Sequence, residues 1–510
     1  MKIDVSQNAK RNIVFGVINK IVLLGLPFVS RTVINRYLGS EYLGLNSLYA
    51  SILQVLALSE LGFSTSLVYH MYKPIAENDQ KKINALLNFY RKAYFAIGCV
   101  ILCLGIALVP ALPRLIKGDY PQDINITVVY LLELLSTSLS YFLFGYKQSL
   151  LVAYQREDVN SIINLCVQSS LKIIQIVLLI TTRSYYLFMI CLPVSTCINN
   201  LWIGYITKRM FPNARCEGKL DSLTLNSIKK LVAGSFIQKA CATTRNSLDS
   251  ICISTFLGLT ATAIYNNYYN IFNGITVVLY IAVTALTGGI GNHVIVKSVS
   301  ENYDELKKLD FLYMSISGWC TVCLLCMSQP FMEIWMGEKM TFPISVVALM
   351  CLYFYMMKVG DMKSNYTSAN GLWWKMKYRS IVETITNLVL NVVMGKLWGV
   401  NGIVAATTIS IFICNFLWGA KILFKEYFKG NYLKQYYLYH AKYFVVTAAV
   451  SCVTYLVCSI ARCNGAIQQF FVNAAICLFV PTGLYFVVYG RSELFQNSVK
   501  MVIKKRERKS

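Results

Sequence analysis

The sequence predicts an all-α polytopic membrane protein with about fourteen transmembrane helices. Hydrophobic residues make up 56% of the 510 residues and charged residues only 14%, whereas a soluble domain carries roughly 25% charged residues. Apolar runs of about 20 residues, the length that spans a bilayer as a helix, recur along the whole chain. Strands of a membrane barrel would be about ten residues long and would alternate in polarity, so helices are predicted.

The apolar runs define the predicted helices, and Pro or Gly residues mark several of their ends. These helices span residues 12–34, 43–70, 90–111, 124–150, 160–181, 185–207, 230–255, 261–292, 310–329, 342–369, 379–397, 402–424, 442–461 and 467–489.

Basic residues are concentrated on one side of this arrangement. Of the 48 Lys and Arg residues, 33 fall in the termini and in alternate loops, and only 7 fall in the remaining loops. The positive-inside rule places the basic side, and therefore both termini, in the cytoplasm. The net charge of +24 is thus interpreted as a signal of membrane topology, and no nucleic-acid partner is predicted.

Short patterns recur in the two halves of the chain in the same order. The matching segments are 37–39 with 256–258, 73–78 with 297–302, and 199–202 with 415–418. A parallel duplication predicts an N-terminal six-helix bundle (1–215), a C-terminal six-helix bundle (216–428), and two additional transmembrane helices with a basic cytoplasmic tail (429–510). Transporters built from such repeats bind substrate between the repeats and alternate access by moving one against the other.

Ionisable side chains at bilayer depth are the candidate functional residues, because a charge there costs about 3 kcal/mol. Arg245 and Asp249 are four residues apart, and Lys358 and Asp361 are three apart, so each pair shares a helix face. Two interpretations stay open: ion pairs that permit insertion, or a basic excess that binds phosphate or pyrophosphate. The candidates for such a cationic cavity are Arg31, Lys172, Lys239, Arg245, Lys358 and Lys363.

Acidic side chains at the same depth are candidates for proton or ion coupling, or for ion pairs. They are Glu60, Glu133, Asp249 and Asp361. The sequence contains no ATP-binding motif and no zinc His pair, so no cofactor, metal or catalytic residue is predicted. A proton or sodium gradient is therefore considered as the energy source. The CxxCxxC spacing of Cys320, Cys323 and Cys326 is interpreted as helix packing.

Three segments carry a resemblance to a known family: RTVINRYLGSEYLGL at 31–45, LSELG at 58–62 and YKP at 72–74. They resemble the Wzx-type polysaccharide flippases of the multidrug/oligosaccharidyl-lipid/polysaccharide exporter superfamily. The resemblance implies a MATE-like fold of two six-helix bundles plus two helices in the bacterial cytoplasmic membrane. It also implies alternating-access transport of undecaprenyl-pyrophosphate-linked oligosaccharides for O-antigen, capsule or exopolysaccharide assembly, with a polysaccharide polymerase and a chain-length regulator as partners.

Other substrates and activities are weighed against this interpretation. The sister lipid II flippases carry an Arg-Asp pair in the first helix, and Arg31-Thr32 departs from it, which disfavours lipid II. An ion-coupled multidrug exporter of the same superfamily is the first alternative, although an acidic cavity would suit it better. A membrane polysaccharide polymerase is the second, although the longest outer loops, near 112–123 and 330–341, are short.

Overall fold

A computed structural model of the chain describes residues 5–60, 63–118, 120–498 and 500. Its regular elements are all helices, and no strand occurs within these ranges. Nine helices of the described residues are long and apolar enough to cross a membrane, or ten if the bent pair Ile126–Phe142 and Phe144–Ala153 forms one span. The predicted fold class, an all-α polytopic membrane protein, is confirmed.

Seventeen α-helices follow one another in the described residues. They are α1 (Val5–Tyr37), α2 (Ser40–Leu56), α3 (Phe63–Ala76), α4 (Gln80–Leu108), α5 (Ile126–Phe142), α6 (Gln148–Ala153), α7 (Glu157–Thr182), α8 (Tyr185–Met210), α9 (Ser222–Leu257), α10 (Leu259–Val296), α11 (Val299–Met336), α12 (Ile344–Val359), α13 (Asp361–Ala369), α14 (Lys377–Ser410), α15 (Gly419–Glu426), α16 (Leu433–Ile460) and α17 (Ala466–Tyr489). A π-helical segment, Ile411–Trp418, joins α14 to α15.

Several predicted helices are bent or divided in the structure. The predicted range 124–150 is split into α5 and α6, which are bent by 49° around a short 3₁₀ turn. The predicted ranges 379–397 and 402–424 meet at a kink at Gly399, where φ is 59°. This positive φ is accessible to glycine at little cost, so the chain turns there without a loop.

The chain forms two compact units, Met1–Ala263 and Ile264–Ser510. In the first unit, α1 packs mainly against α7, and α5 and α7 both pack against α8. In the second unit, α11 packs against α12, α16 and α17. The last two helices, which the sequence predicts as an addition to the repeats, are therefore anchored on α11. The predicted bundle boundaries at 215 and 428 concern the sequence repeat and stay a prediction.

A close backbone approach holds the first unit together at α2. A Cβ atom added to Gly44 would lie 2.0 Å from the carbonyl oxygen of Leu259, the first residue of α10. That distance is far inside van der Waals contact, so only glycine allows this packing. The neighbouring Leu43 and Leu45 are fully buried, and they complete the contact face of α2.

Cysteine side chains mark the attachment of the last helices to α11. The thiol groups of Cys326, Cys458 and Cys477 lie within 4.8 Å of one another, and all three side chains are buried. Val322 and Val450 belong to the same apolar cluster. Cys323 of the CxxCxxC segment also packs against this cluster, and the thiols of α16 and α17 complete it, so three helices bring the cysteines together.

Candidate functional site

Arg31 is held by two neutral acceptors inside the first unit. Its guanidinium group on α1 donates to the Ser47 hydroxyl and to the Ala263 carbonyl oxygen, each at 3.3 Å. Ser47 is buried on α2. Arg36, five residues later on the same helix, is exposed. Only the first of these two arginines is therefore directed into the helix packing.

Glu133 and Lys172 form a charged centre between α5 and α7. The two side chains are close enough to interact electrostatically. The Lys172 ammonium donates to Gln175 Oε1 at 3.0 Å and lies 5.9 Å from the ring centroid of Phe188. Glu133 Oε2 is buried without a hydrogen-bond partner. Buried polar atoms are normally satisfied, so this oxygen is a candidate contact for a proton, a cation or a substrate hydroxyl.

Tyrosine rings surround this charged centre. Tyr49, Tyr130 and Tyr185 all interact electrostatically with Glu133. Tyr49 and Tyr130 meet edge to face with centroids 5.4 Å apart, and Tyr185 stacks on Phe188 at 5.9 Å. These tyrosines were not predicted from the sequence. One signal was present for Tyr130, which stands three residues before Glu133 and therefore shares its helix face.

The remaining candidates of the first unit lie on or near α9. Lys239 is exposed, Arg245 is partly buried, and Asp249 is 1% exposed. All three have interactions with other groups. Glu60 ends a short 3₁₀ turn, and its side chain lies outside the described part of the structure.

In the second unit, Lys358 and Asp361 form an ion pair. The Lys358 ammonium lies 3.0 Å from Asp361 Oδ2, and only 3% of the lysine side chain is exposed. The Tyr313 hydroxyl donates to the same carboxylate oxygen at 2.5 Å. The geometry matches the simpler of the two interpretations of this pair, in which the charges compensate each other within the membrane.

Lys363 is bound by the π-helical segment. Its ammonium group donates to the Asn415 carbonyl oxygen and to Asn415 Oδ1, the latter at 3.2 Å. A Cβ atom at Gly419 would lie 2.9 Å from this ammonium group, so the glycine leaves room for the lysine. Lys363 also interacts electrostatically with Arg379 and Glu383, which form an ion pair of their own at 2.8 Å.

Asp310 and His440 extend this buried polar network. Asp310 Oδ2 lies 2.7 Å from His440 Nε2, and both side chains are at most 2% exposed. The Tyr439 hydroxyl donates to the same oxygen at 3.3 Å. Asp310 also interacts electrostatically with Lys363. This pair was not predicted from the sequence because Asp310 begins a predicted helix and His440 lies just before one, at positions where charges are usually solvated.

The charges of the second-unit network balance. Its three basic groups and three acidic groups are Lys358, Lys363, Arg379, Asp310, Asp361 and Glu383. The described acidic neighbours therefore compensate Lys358 and Lys363, and these two lysines leave no excess positive charge that could bind an anion. The remaining basic candidates for an anion site, Arg31, Lys172, Lys239 and Arg245, lie in the first unit.

The fold of the chain is shared with transporters of known structure. The lipid II flippase MurJ in an inward closed conformation is similar over 94% of this chain and 99% of its own, with 16% identity and a TM-score of 0.66. An inward-facing multidrug resistance MATE family transporter of the MOP superfamily covers 81% of this chain and 98% of its own, with 15% identity and a TM-score of 0.61. A mutant of the Vibrio cholerae MATE transporter VcmN covers 85% and 99%, with 12% identity and a TM-score of 0.57.

No protein-family model matches the sequence, and the search of curated proteins gave no match. At 12–16% identity the structural similarity shows the fold alone. The MATE-like fold expected from the sequence is thus confirmed, and the chain is a multi-pass membrane protein that shares the fold of these three proteins.

Proposed function

We propose that this chain is a flippase that moves undecaprenyl-pyrophosphate-linked oligosaccharides across the bacterial cytoplasmic membrane for O-antigen, capsule or exopolysaccharide assembly. The observation that carries the proposal is the similarity to a lipid II flippase over 94% of the chain, against 81% and 85% for the two MATE transporters. A lipid-linked substrate is therefore favoured over a small soluble one.

The chemistry of the first unit supports a pyrophosphate ligand. Two acceptors of Arg31 are a hydroxyl and a carbonyl oxygen, and hydrogen bonds to a charged oxyanion are roughly twice as strong as bonds to such neutral groups. A phosphate would thus displace them. Lys172 offers a second cation. Lys239 and Arg245 are further candidates for the same anion.

Glu133 suggests how ion binding is coupled to transport. Lys172 is the nearby positive charge that stabilises the Glu133 carboxylate. A pyrophosphate bound to Lys172 competes with Glu133 for this charge. Substrate binding therefore favours uptake of a proton or a sodium ion by Glu133, and substrate release reverses it. In this scheme an ion gradient supplies the energy, and a polysaccharide polymerase receives the product.

An ion-coupled multidrug exporter is the second candidate. The TM-score of 0.61 with a multidrug MATE transporter favours it, as does the unpartnered oxygen of Glu133, which suits a cationic drug. The two candidates differ in the charge of the substrate, so variants of Arg31 separate them. Loss of Arg31 impairs an anion transporter but not a cation exporter, whereas loss of Glu133 impairs both.

Deletion of the gene in its native host tests the proposal. Undecaprenyl-linked glycans are extracted, and their side of the membrane is determined with an impermeant label. We expect lipid-linked repeat units to accumulate in the cytoplasmic leaflet and surface polysaccharide to be lost. Unchanged glycans with increased sensitivity to cationic drugs would contradict the flippase and favour the exporter.

Complementation with matched arginine variants tests the site. A hydrogen bond to a charged group contributes about 1.5–3 kcal/mol, so Arg31→Ala is expected to lower transport about 10- to 100-fold. Arg36→Ala, on the exposed face of the same helix, serves as the control and should complement fully. Full activity of Arg31→Ala at equal expression would remove Arg31 from the proposed site.

A further inference from the structure

A groove opens in the second unit beside the π-helical segment Ile411–Trp418. It encloses about 900 Å³. Its walls come from this segment, from α15, from the first residues of α14 with the turn before them, and from Tyr437 of α16. None of the residues proposed above for transport lines it, so the groove is a separate feature of the molecule.

The groove carries more positive charge than its own acidic residue compensates. Lys375 forms an ion pair with Glu426, and both line the groove. Three further lysines line it, and within the described part of the chain Lys377, Lys421 and Lys425 have no ion pair with an acidic side chain. Lys421 and Lys425 stand four residues apart on α15 and therefore project from one face. This arrangement suits an anion.

Aromatic and aliphatic side chains form the rest of the lining. Trp374 and Trp418 are 55% and 36% exposed. The Lys377 ammonium lies 3.8 Å from the ring centroid of Trp374. Ile413 and Leu417 of the π-helical segment add an apolar wall. Trp and Lys side chains at such positions are typical of the interface between lipid headgroups and acyl chains.

The groove lies on the predicted cytoplasmic side. The start of α14 and the end of α15 border the loops 375–379 and 421–442, which are both among the basic loops of the positive-inside pattern. The cytoplasmic leaflet contains anionic lipids, which attract each nearby Lys or Arg. The charge of the groove and the charge of the adjacent leaflet are therefore complementary.

Side chains from other elements hold the π-helical wall in place. The Tyr437 hydroxyl donates to the Leu417 carbonyl oxygen at 2.7 Å, and Lys363 donates to the carbonyl oxygen of Asn415. Such π-helical turns occur frequently at functional sites. Two side chains from outside the segment therefore stabilise backbone groups of the wide turn that forms the wall.

We propose that this groove binds the headgroup of an anionic phospholipid of the cytoplasmic leaflet, such as phosphatidylglycerol. Lys421 and Lys425 contact the phosphate, Trp374 and Trp418 flank the glycerol region, and the acyl chains lie against Ile413. The site differs from the transport site and does not depend on the identity of the transported substrate.

Fluorescence quenching by brominated lipids tests this proposal on the full-length protein. The protein is reconstituted in phosphatidylcholine vesicles with a small fraction of phosphatidylglycerol, and either lipid carries brominated acyl chains. Only two of the seven tryptophans line the groove. We expect brominated phosphatidylglycerol to quench more strongly than brominated phosphatidylcholine at equal mole fraction, and Trp374→Phe to reduce this difference.

Lysine variants assign the preference to the groove. Each lysine near an anionic surface contributes about a fivefold factor, so Lys421→Gln/Lys425→Gln should weaken the preference about 30-fold. Lys81→Gln/Lys92→Gln, at two exposed lysines of α4, is the control and should keep the preference. High salt should also abolish the preference in the unmodified protein, which provides a test that does not depend on a variant.

Several results would overturn the proposal. Equal quenching by the two lipids, or an unchanged preference in the groove variant, would exclude a phospholipid site. Displacement of phosphatidylglycerol by inorganic phosphate would show an anion site without a lipid requirement. Displacement by undecaprenyl pyrophosphate would make the polyprenyl lipid the occupant instead.

Discussion

Removal of the ion pair between Lys358 and Asp361 distinguishes a structural role from a role in substrate binding. The charged groups lie 3.0 Å apart, and 3% of the lysine side chain is exposed. With an effective dielectric constant of about 20, this separation corresponds to an attraction of about 5.5 kcal/mol. Removal of one member leaves a buried charge uncompensated and costs about 3–5 kcal/mol. We expect Lys358→Met and Asp361→Asn each to lower the free energy of unfolding by about 3 kcal/mol.

The double variant gives the decisive comparison. Lys358→Met/Asp361→Asn removes both charges together, and the Tyr313 hydroxyl still has an amide oxygen to which it can donate. Replacement of a buried ion pair by neutral groups of similar size is often close to neutral for stability. We therefore expect the double variant to regain most of the lost stability and, if the pair is structural, most of the transport activity.

Two measurements on four proteins and one control variant are needed. Unfolding of the purified protein by sodium dodecyl sulfate gives the stability of the natural sequence, both single variants and the double variant, and complementation of the deletion strain gives transport. Lys81→Met, at an exposed lysine of α4, is the matched control. Full stability of both single variants would refute the ion-pair reasoning. A stable double variant without transport would assign the pair to the substrate or the coupling ion.

Three further predictions concern the first unit and the topology. Gly44→Ala places a methyl group 2.0 Å from a backbone oxygen and should destabilise the protein by about 1–3 kcal/mol. The control Gly25→Ala, where nothing lies within 4 Å of the added Cβ atom, should leave the melting temperature unchanged. Equal melting temperatures of the two variants would contradict the close approach. Glu133→Gln should abolish the dependence of transport on the ion gradient while the protein still elutes as a folded species in size-exclusion chromatography, and retained dependence would exclude Glu133 from coupling. The loop at Lys219 is predicted to be cytoplasmic and the loop at Arg183 to lie on the opposite side of the membrane. Green fluorescent protein fused after Lys219 should therefore fluoresce, and alkaline phosphatase fused after Arg183 should be active. The reverse pattern would invert the predicted topology.

The fold class and part of the ionic network follow from patterns along the chain. Hydropathy identifies helices because a spanning helix in lipid must be apolar over about 20 residues. The pair of Lys358 and Asp361 could be predicted because residues three apart share a helix face. In both cases the evidence is local in sequence. Even here, the sequence left open whether the pair compensates its own charge or binds a substrate.

The tertiary structure decided which distant groups meet. Asp310 and His440 are 130 residues apart and reach each other only because α16 packs against α11. Lys363 is satisfied by a backbone carbonyl oxygen of the π-helical segment, and no side-chain pattern encodes such an acceptor. The balance of charge around Lys358 and Lys363, and hence the choice of Arg31 and Lys172 as the better anion ligands, depends on these contacts. Spacing within one helix determines which side chains share a face, whereas packing between helices determines what each face meets.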